Sequence, residues 1–400
     1  MSNSEQRPAV FFVANCMFRD HLAGGDVHFL HMAEATTNAG YPLRFIGGHA
    51  VQRQVASRHL PVEMLLTDKR TLPSFSTDTL AGQLRLLIDY AGRFFRTLPK
   101  LSQVKPDDVI YAVTDYWFDA WPMIFSRAHR KLMILGMDSP SLKQVVFRSR
   151  PDVTSNRLSS IYYWLSQSLS LCLFRFCKNK TLLYVHPAMK ARLRSIGYRE
   201  EELVYISNGI DTQQADAVPE QPKRYDVIWA GRIHPQKGIE DLIATLEFLT
   251  KNVPHFRALI VGKVETELRP VIDRLGLKQQ VEFAGFVSEE EKYRLLKSSR
   301  VFLMPSRYES WGIVIGEAIA CGLKVVAYDL EPYRQIFGDH VTYVPRFNLD
   351  TFRQAARDHV MAERAAPHSP ESGIEEFKNK NSWRMAESIF MDALTGHAKK

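Results

Sequence analysis

The chain has 400 residues, a net charge of +8 and 24% charged residues. That length exceeds one ordinary core of roughly 100–200 residues and predicts two domains. With 45% hydrophobic residues, four scattered cysteines and no CxxC pair, the composition excludes a disordered chain, a disulfide framework and a zinc-ribbon site.

From the start of the chain, the apolar run 10–14 predicts a first buried strand and not a signal peptide. A loop of small residues follows, ending at Gly24-Gly25. Apolar spacing then predicts a helix over 27–38, with Gly40 as its stop. Runs at 43–46, 109–113, 132–135 and 181–185 predict further strands. The stretch 158–177 carries too many polar groups for a membrane span and predicts a buried or amphipathic helix; 84–98 is amphipathic too. After Asn208-Gly209-Ile210-Asp211, a polar stretch to Lys223 has linker composition. The pattern then restarts. Strands are predicted at 225–230, 256–261, 281–283, 301–304 and 324–328. Helices are predicted at 239–249, 265–275, 288–296 and 312–320, with Ser288 and Glu291 as a capping box. A final helix is predicted at 382–394.

Alternation of strands and helices predicts an α/β fold, with ligands bound at the carboxyl ends of the strands. Three elements fall in such places. Glu309 and Glu317 flank Trp311, Gly312, Ile313 and Val314, where a helix start presents backbone N–H groups suited to anionic oxygen. Arg232 and Lys237 lie five residues apart in the loop after strand 225–230, suited to a diphosphate. Gly24 and Gly25 follow the first strand, where the backbone can approach phosphate closely. Each motif alone also reads as an ordinary surface loop; their order along the chain gives them weight.

Together these elements resemble the family 4 retaining glycosyltransferases, most strongly over 226–329. Glu317-Ala318-Ile319-Ala320-Cys321-Gly322 resembles the end of that family's paired-glutamate motif. Asn208-Gly209-Ile210-Asp211 resembles its hinge signature, 281–287 its strand-loop before the donor base, and Trp383 the aromatic docking its terminal helix. The resemblance implies two Rossmann-like domains facing a central cleft (GT-B): residues 1–207, an acceptor-side domain; 208–370, a nucleotide-sugar domain; and 371–400, a C-terminal helix packing back across both. It further implies that Glu309 holds donor-sugar hydroxyls and Glu317 the ribose hydroxyls. Arg232 and Lys237 would stabilise the leaving diphosphate, Gly24 and Gly25 would line the phosphate, and the amides of 311–314 would approach the sugar. The leaving phosphate would deprotonate the acceptor, so transfer proceeds with retention and without a dedicated base. No metal or other cofactor is expected, and the donor is a substrate.

Family members often carry a histidine after the middle strand of the first domain. Here 109–117 has none, and Asp115 or Asp138 is the candidate replacement. His28 and His31 read as packing or surface residues. Between residues 143 and 199 eleven basic side chains face one acid, Asp152. Such a basic stretch reads either as a solvated face with no partner or as a surface for polyanions, suggesting an anionic membrane surface and a saccharide or lipid-linked acceptor. A nucleic-acid glucosyltransferase or binder is the alternative on this fold; the aromatics at 162–164 fit a packed helix better than a stacking platform. A non-catalytic partner subunit would have lost Glu309, Glu317, Arg232 or Lys237, and all are present. The cysteine usage predicts a reducing cytosol, with a peripheral place on the inner face of the membrane.

Overall fold

The structure, a computed structural model, describes residues 7–17, 24–69, 80–137, 143–144, 157–232, 234–366 and 373–397. The chain divides into two compact units. The first comprises residues 1–147, 156–207 and 386–400; the second comprises 148–155 and 208–385.

In the first unit the described residues form a seven-stranded parallel sheet of order β3-β2-β1-β4-β5-β6-β7. Its strands are β1 (Val10–Ala14), β2 (Leu43–Gly47), β3 (Val62–Leu66), β4 (Val109–Ala112), β5 (Arg130–Leu135), β6 (Lys180–Tyr184) and β7 (Leu203–Tyr205). Strand β1 is central and buried at every position, as its unbroken apolar run requires. Helices Gly24–Asn38, His49–Ser57, Leu80–Thr97, Trp117–Phe125 and Arg157–Arg175 cover the sheet. The first of these corrects one expectation. Gly24 and Gly25 are exposed residues of the helix's first turn, not of a preceding loop.

In the second unit the described strands form a six-stranded parallel sheet of order β10-β9-β8-β11-β12-β13. They are β8 (Tyr225–Ala230), β9 (Ala258–Val261), β10 (Val281–Gly285), β11 (Ser299–Met304), β12 (Lys324–Tyr328) and β13 (Val341–Val344). The polar stretch after residue 210 is not all linker. Asp211 accepts the Gln214 N–H at 2.9 Å and caps a helix, Thr212–Ala217. Ser288 likewise accepts the Glu291 N–H at 3.2 Å and opens helix Glu289–Lys297. Helices Ile374–Asn381 and Trp383–Thr395 end the described chain. The Trp383 ring lies against Gly209, where an added Cβ would stand 2.2 Å from it. Ile210 and Ser382 form a parallel bridge beside it. Among the described residues, no helix is long and apolar enough to cross a membrane.

Candidate active site

Three loops at the carboxyl end of the second sheet are stitched together by backbone. After β8, the Gln236 carbonyl accepts the Arg307 N–H of the loop after β11 at 2.6 Å. Gly238, with φ +64°, sits so close to Pro305 that a Cβ would fall 1.9 Å from its carbonyl oxygen. Only glycine meets both demands. After β9, a Cβ on Gly262 would likewise fall 2.0 Å from the Gly231 carbonyl oxygen, and the Gly262 N–H donates to the Gly285 carbonyl at the end of β10 at 2.8 Å.

This stitching brings together residues 72 positions apart. Lys237 Nζ lies 2.6 Å from Glu309 Oε1, and the Ser306 hydroxyl donates to the same oxygen at 3.1 Å. Glu309 and Ser306 are buried. Burial of an acid costs heavily unless it is paired, and here the ammonium supplies the pair. The Arg232 guanidinium, on the same loop, is exposed.

Gly312 caps helix Ile313–Ala320. Ile313 and Val314 are partly exposed in its first turn, whereas Trp311 is a core residue. Its ring meets Phe337 edge-on at 5.2 Å, so Trp311 can offer a ligand only backbone. Glu317 is buried one turn on. Its Oε1 accepts from Lys292 Nζ at 2.7 Å, and its buried Oε2 has no hydrogen-bond partner among the described residues. Burial pushes the Glu317 carboxyl up, and Lys292 offsets only part of that. For Lys292 the balance is opposite. Burial alone would lower the ammonium, but Glu317 and Glu289 outweigh it and hold it above its ordinary value.

Sequence reasoning passed over Lys292, Ser306 and Tyr333. Tyr333 stands on helix Glu331–Phe337, with its hydroxyl buried and 3.4 Å from where a Gly312 Cβ would lie. No motif marked these residues. Lys292 sits among the charges of an ordinary helix face, and the spacing Ser306 to Glu309 was the one available signal.

In the first unit, Asp115 follows β4 and is buried. Burial pushes its carboxyl up to about 6, against the Gln167 amide that donates to it at 2.9 Å. Asp138 lies outside the described residues. His186, buried directly after β6, was also passed over; its Nδ1 accepts the Ala188 N–H at 3.1 Å. His28 is buried in the sheet-covering helix, and His31 pairs with Glu387 at 3.2 Å. His31, Glu34 and Glu387 place three metal-type ligand atoms within 4.8 Å of one another. Glu34 is already engaged by Arg58 at 2.7 Å, so the group reads as an ion-pair cluster fastening the last helix.

Two parallel sheets with interleaved helices define a two-domain, Rossmann-like GT-B protein. Residues 211–359 match the family described as glycosyl transferases group 1. Solved structures cover nearly the whole chain. Sucrose-phosphate synthase of Thermosynechococcus elongatus has a TM-score of 0.71, covers 98% of this chain and 99% of its own, and is 16% identical. HepE of Anabaena, solved with UDP and glucose, has a TM-score of 0.70 over 98% of this chain and 100% of its own at 17% identity. At such identities the likeness shows the fold. Among curated relatives, GDP-mannose:cellobiosyl-diphosphopolyprenol alpha-mannosyltransferase of Xanthomonas oryzae is 29% identical over 39% of this chain and 42% of its own. Phosphatidyl-myo-inositol mannosyltransferase of Mycobacterium tuberculosis is 33% identical over 34% of this chain and 38% of its own. The chain thus matches less than half the length of these relatives.

Proposed function

We propose that this protein is a retaining glycosyltransferase that moves a hexose from a UDP- or GDP-sugar to a glycan or lipid-linked saccharide, without a metal. The observation that carries the reading is the Lys237–Glu309 pair, with Glu309 buried, in the loops just before the helix Ile313–Ala320 that carries Glu317. Glu309 would accept hydrogen bonds from sugar hydroxyls. Lys237 and the exposed Arg232 would neutralise the leaving diphosphate as its charge develops, with the amides of 312–314 adding the helix dipole. The names of the two mannosyltransferases, one acting on a diphosphopolyprenol and one on phosphatidyl-myo-inositol, support a lipid-linked acceptor. Asp115 is the first-unit candidate for acceptor or sugar contact.

Transfer or hydrolysis should appear in a panel of UDP-, GDP- and ADP-sugars, should persist in EDTA, and should give a product of unchanged anomeric configuration. If none of the panel binds at millimolar concentration, the reading fails. Glu309→Ala and Lys237→Ala should each cut kcat by about 10²–10³-fold in a folded protein, the scale of losing one preorganised charge partner. Wild-type rates in both would remove the site assignment.

A peripheral place on an anionic membrane belongs to the same proposal. On helix Leu80–Thr97, Leu84, Ile88 and Phe95 fall on one stripe and are each more than half exposed. On helix Arg157–Arg175, Leu165 and Leu169 continue to the exposed Phe176. Both helices pack against Trp117–Phe125, whose Phe125 is also exposed. Exposed Arg85, Arg127, Arg175 and Lys178 surround these stripes. Apolar stripes with basic flanks suit an anionic bilayer interface. The protein should co-float with phosphatidylglycerol vesicles, and a triple Leu84→Ser, Ile88→Ser, Phe95→Ser variant should float less. Absence of wild-type flotation removes the membrane from the proposal.

A further inference from the structure

Glu317 is the most buried acid of the candidate site, and its surroundings are mostly acidic. Its neighbours come from three elements. Helix Glu289–Lys297 contributes Lys292, Glu289 and Tyr293, the cap of helix Thr212–Ala217 contributes Asp211, and Glu317's own helix contributes Cys321. Lys292 is the one cation in that set. It bridges two carboxylates, at 2.7 Å from Glu317 Oε1 and 2.7 Å from Glu289 Oε2, and its side chain is 17% exposed. Glu289 is largely exposed at 71% and so keeps water as an alternative partner; Glu317 at 6% does not. The bridge therefore matters most to Glu317.

The two oxygens of Glu317 are used unequally. Oε1 is committed to Lys292, while Oε2 is buried and without a partner. An acceptor left bare inside a protein is costly, and a ligand hydroxyl would recover that cost. That acceptor is worth having only while the group is ionised, because a protonated carboxyl offers a donor at one oxygen.

We propose that Lys292 is a positioning residue: it holds the Glu317 carboxylate charged and anchored by Oε1, so that Oε2 remains an acceptor for a ribose hydroxyl of the donor nucleotide. The inference rests on the glycosyltransferase reading of this site. It assigns Lys292 no contact with phosphate. Burial without the lysine would push the Glu317 carboxyl further up, toward the pH at which it protonates and stops accepting.

The test is calorimetric titration of the full chain with UDP and GDP, with their 2′,3′-dideoxy analogues, and with inorganic pyrophosphate, at pH 6 and pH 8.5. The wild type should prefer the ribose nucleotide to its dideoxy analogue by the same ratio at both pH values. Lys292→Gln should lose about tenfold of that preference at pH 6, the scale of one charge-assisted hydrogen bond, and recover part of it at pH 8.5. Its pyrophosphate affinity should change less than twofold, and Lys292→Arg should restore the preference. A Lys292→Gln protein that keeps the wild-type ratio at pH 6 overturns the proposal. So does a loss of pyrophosphate binding in parallel with nucleotide, which would mean general charge attraction. Should Lys292→Gln fail to fold, the wild type alone decides, since a ribose preference that fades from pH 8.5 to pH 6 contradicts an ionised Glu317. Nucleotide binding without any ribose preference defeats this proposal alone, and binding of no nucleotide defeats the function with it.

Discussion

Asp119 lies beneath the end of β1, where its two oxygens accept the Asn15 N–H at 2.6 Å and the Thr114 hydroxyl at 2.7 Å. Asn15 in turn donates to Thr97 and to the Phe118 carbonyl, both at 3.0 Å. Burial pushes the Asp119 carboxyl up to about 7, more than these bonds draw it down. Because the folded value exceeds the unfolded one, the folded state holds the extra proton. Its contribution is present in full below about pH 4 and is lost as pH rises toward 7. Asp119→Asn keeps an acceptor but cannot ionise. Its melting temperature relative to wild type should therefore rise between pH 4.5 and pH 7.5; a constant difference would show that Asp119 is ionised throughout. At this scale sequence reading reached the ends of the Lys237–Glu309 pair but not the pair itself. Two charges 72 positions apart meet only because two loops do. Lys292 carried no signal, since its value to Glu317 comes entirely from burial.

Each strand that escaped sequence reading stands at or near a sheet margin. β3, β7 and β13 are three of the four outermost strands, the fourth being β10, which was legible at 281–283, and Val62–Leu66 has no fully buried position. An edge strand is short and faces water on one side, so its apolar pattern is diluted. The inner strands, buried on both faces, showed unbroken apolar runs and were legible within a residue or two. Gly24 and Gly25 were misplaced for a related reason: glycine normally ends helices, and here a pair begins one. The loop after β8 makes the sharpest prediction among the elements. Gly238→Ala forces a Cβ against the Pro305 carbonyl at a left-handed φ. The variant should melt several degrees lower, and turnover should fall with it as Lys237 draws away from Glu309. A variant with wild-type turnover would show that the two loops need not touch.

Across the molecule, the two units carry separate apolar cores, and the second closes around Trp229, Trp311 and Tyr333. The donor-binding candidates are concentrated in that second unit, within the segment that matches the glycosyltransferase family. Hydrogen exchange with UDP or GDP should show new protection at 231–238 and 305–317, the loops and helix start that would surround a diphosphate. Protection confined to the first unit would contradict the assignment. The outward stripes of Leu84, Ile88 and Phe95 were legible as amphipathic periodicity, because 3.6-residue spacing survives whatever the stripe eventually faces.

The bond from the Arg307 amide to the Gln236 carbonyl, with the close approach of Gly238 to Pro305, has a practical consequence. The path of both loops is written in main chain and in one obligatory glycine, and does not depend on the exposed side chains they display. Arg232 is exposed on this frame, while Ile313 and Val314 open the following helix and pack partly against the core. Substituting an exposed side chain such as Arg232 therefore leaves the path of the two loops in place.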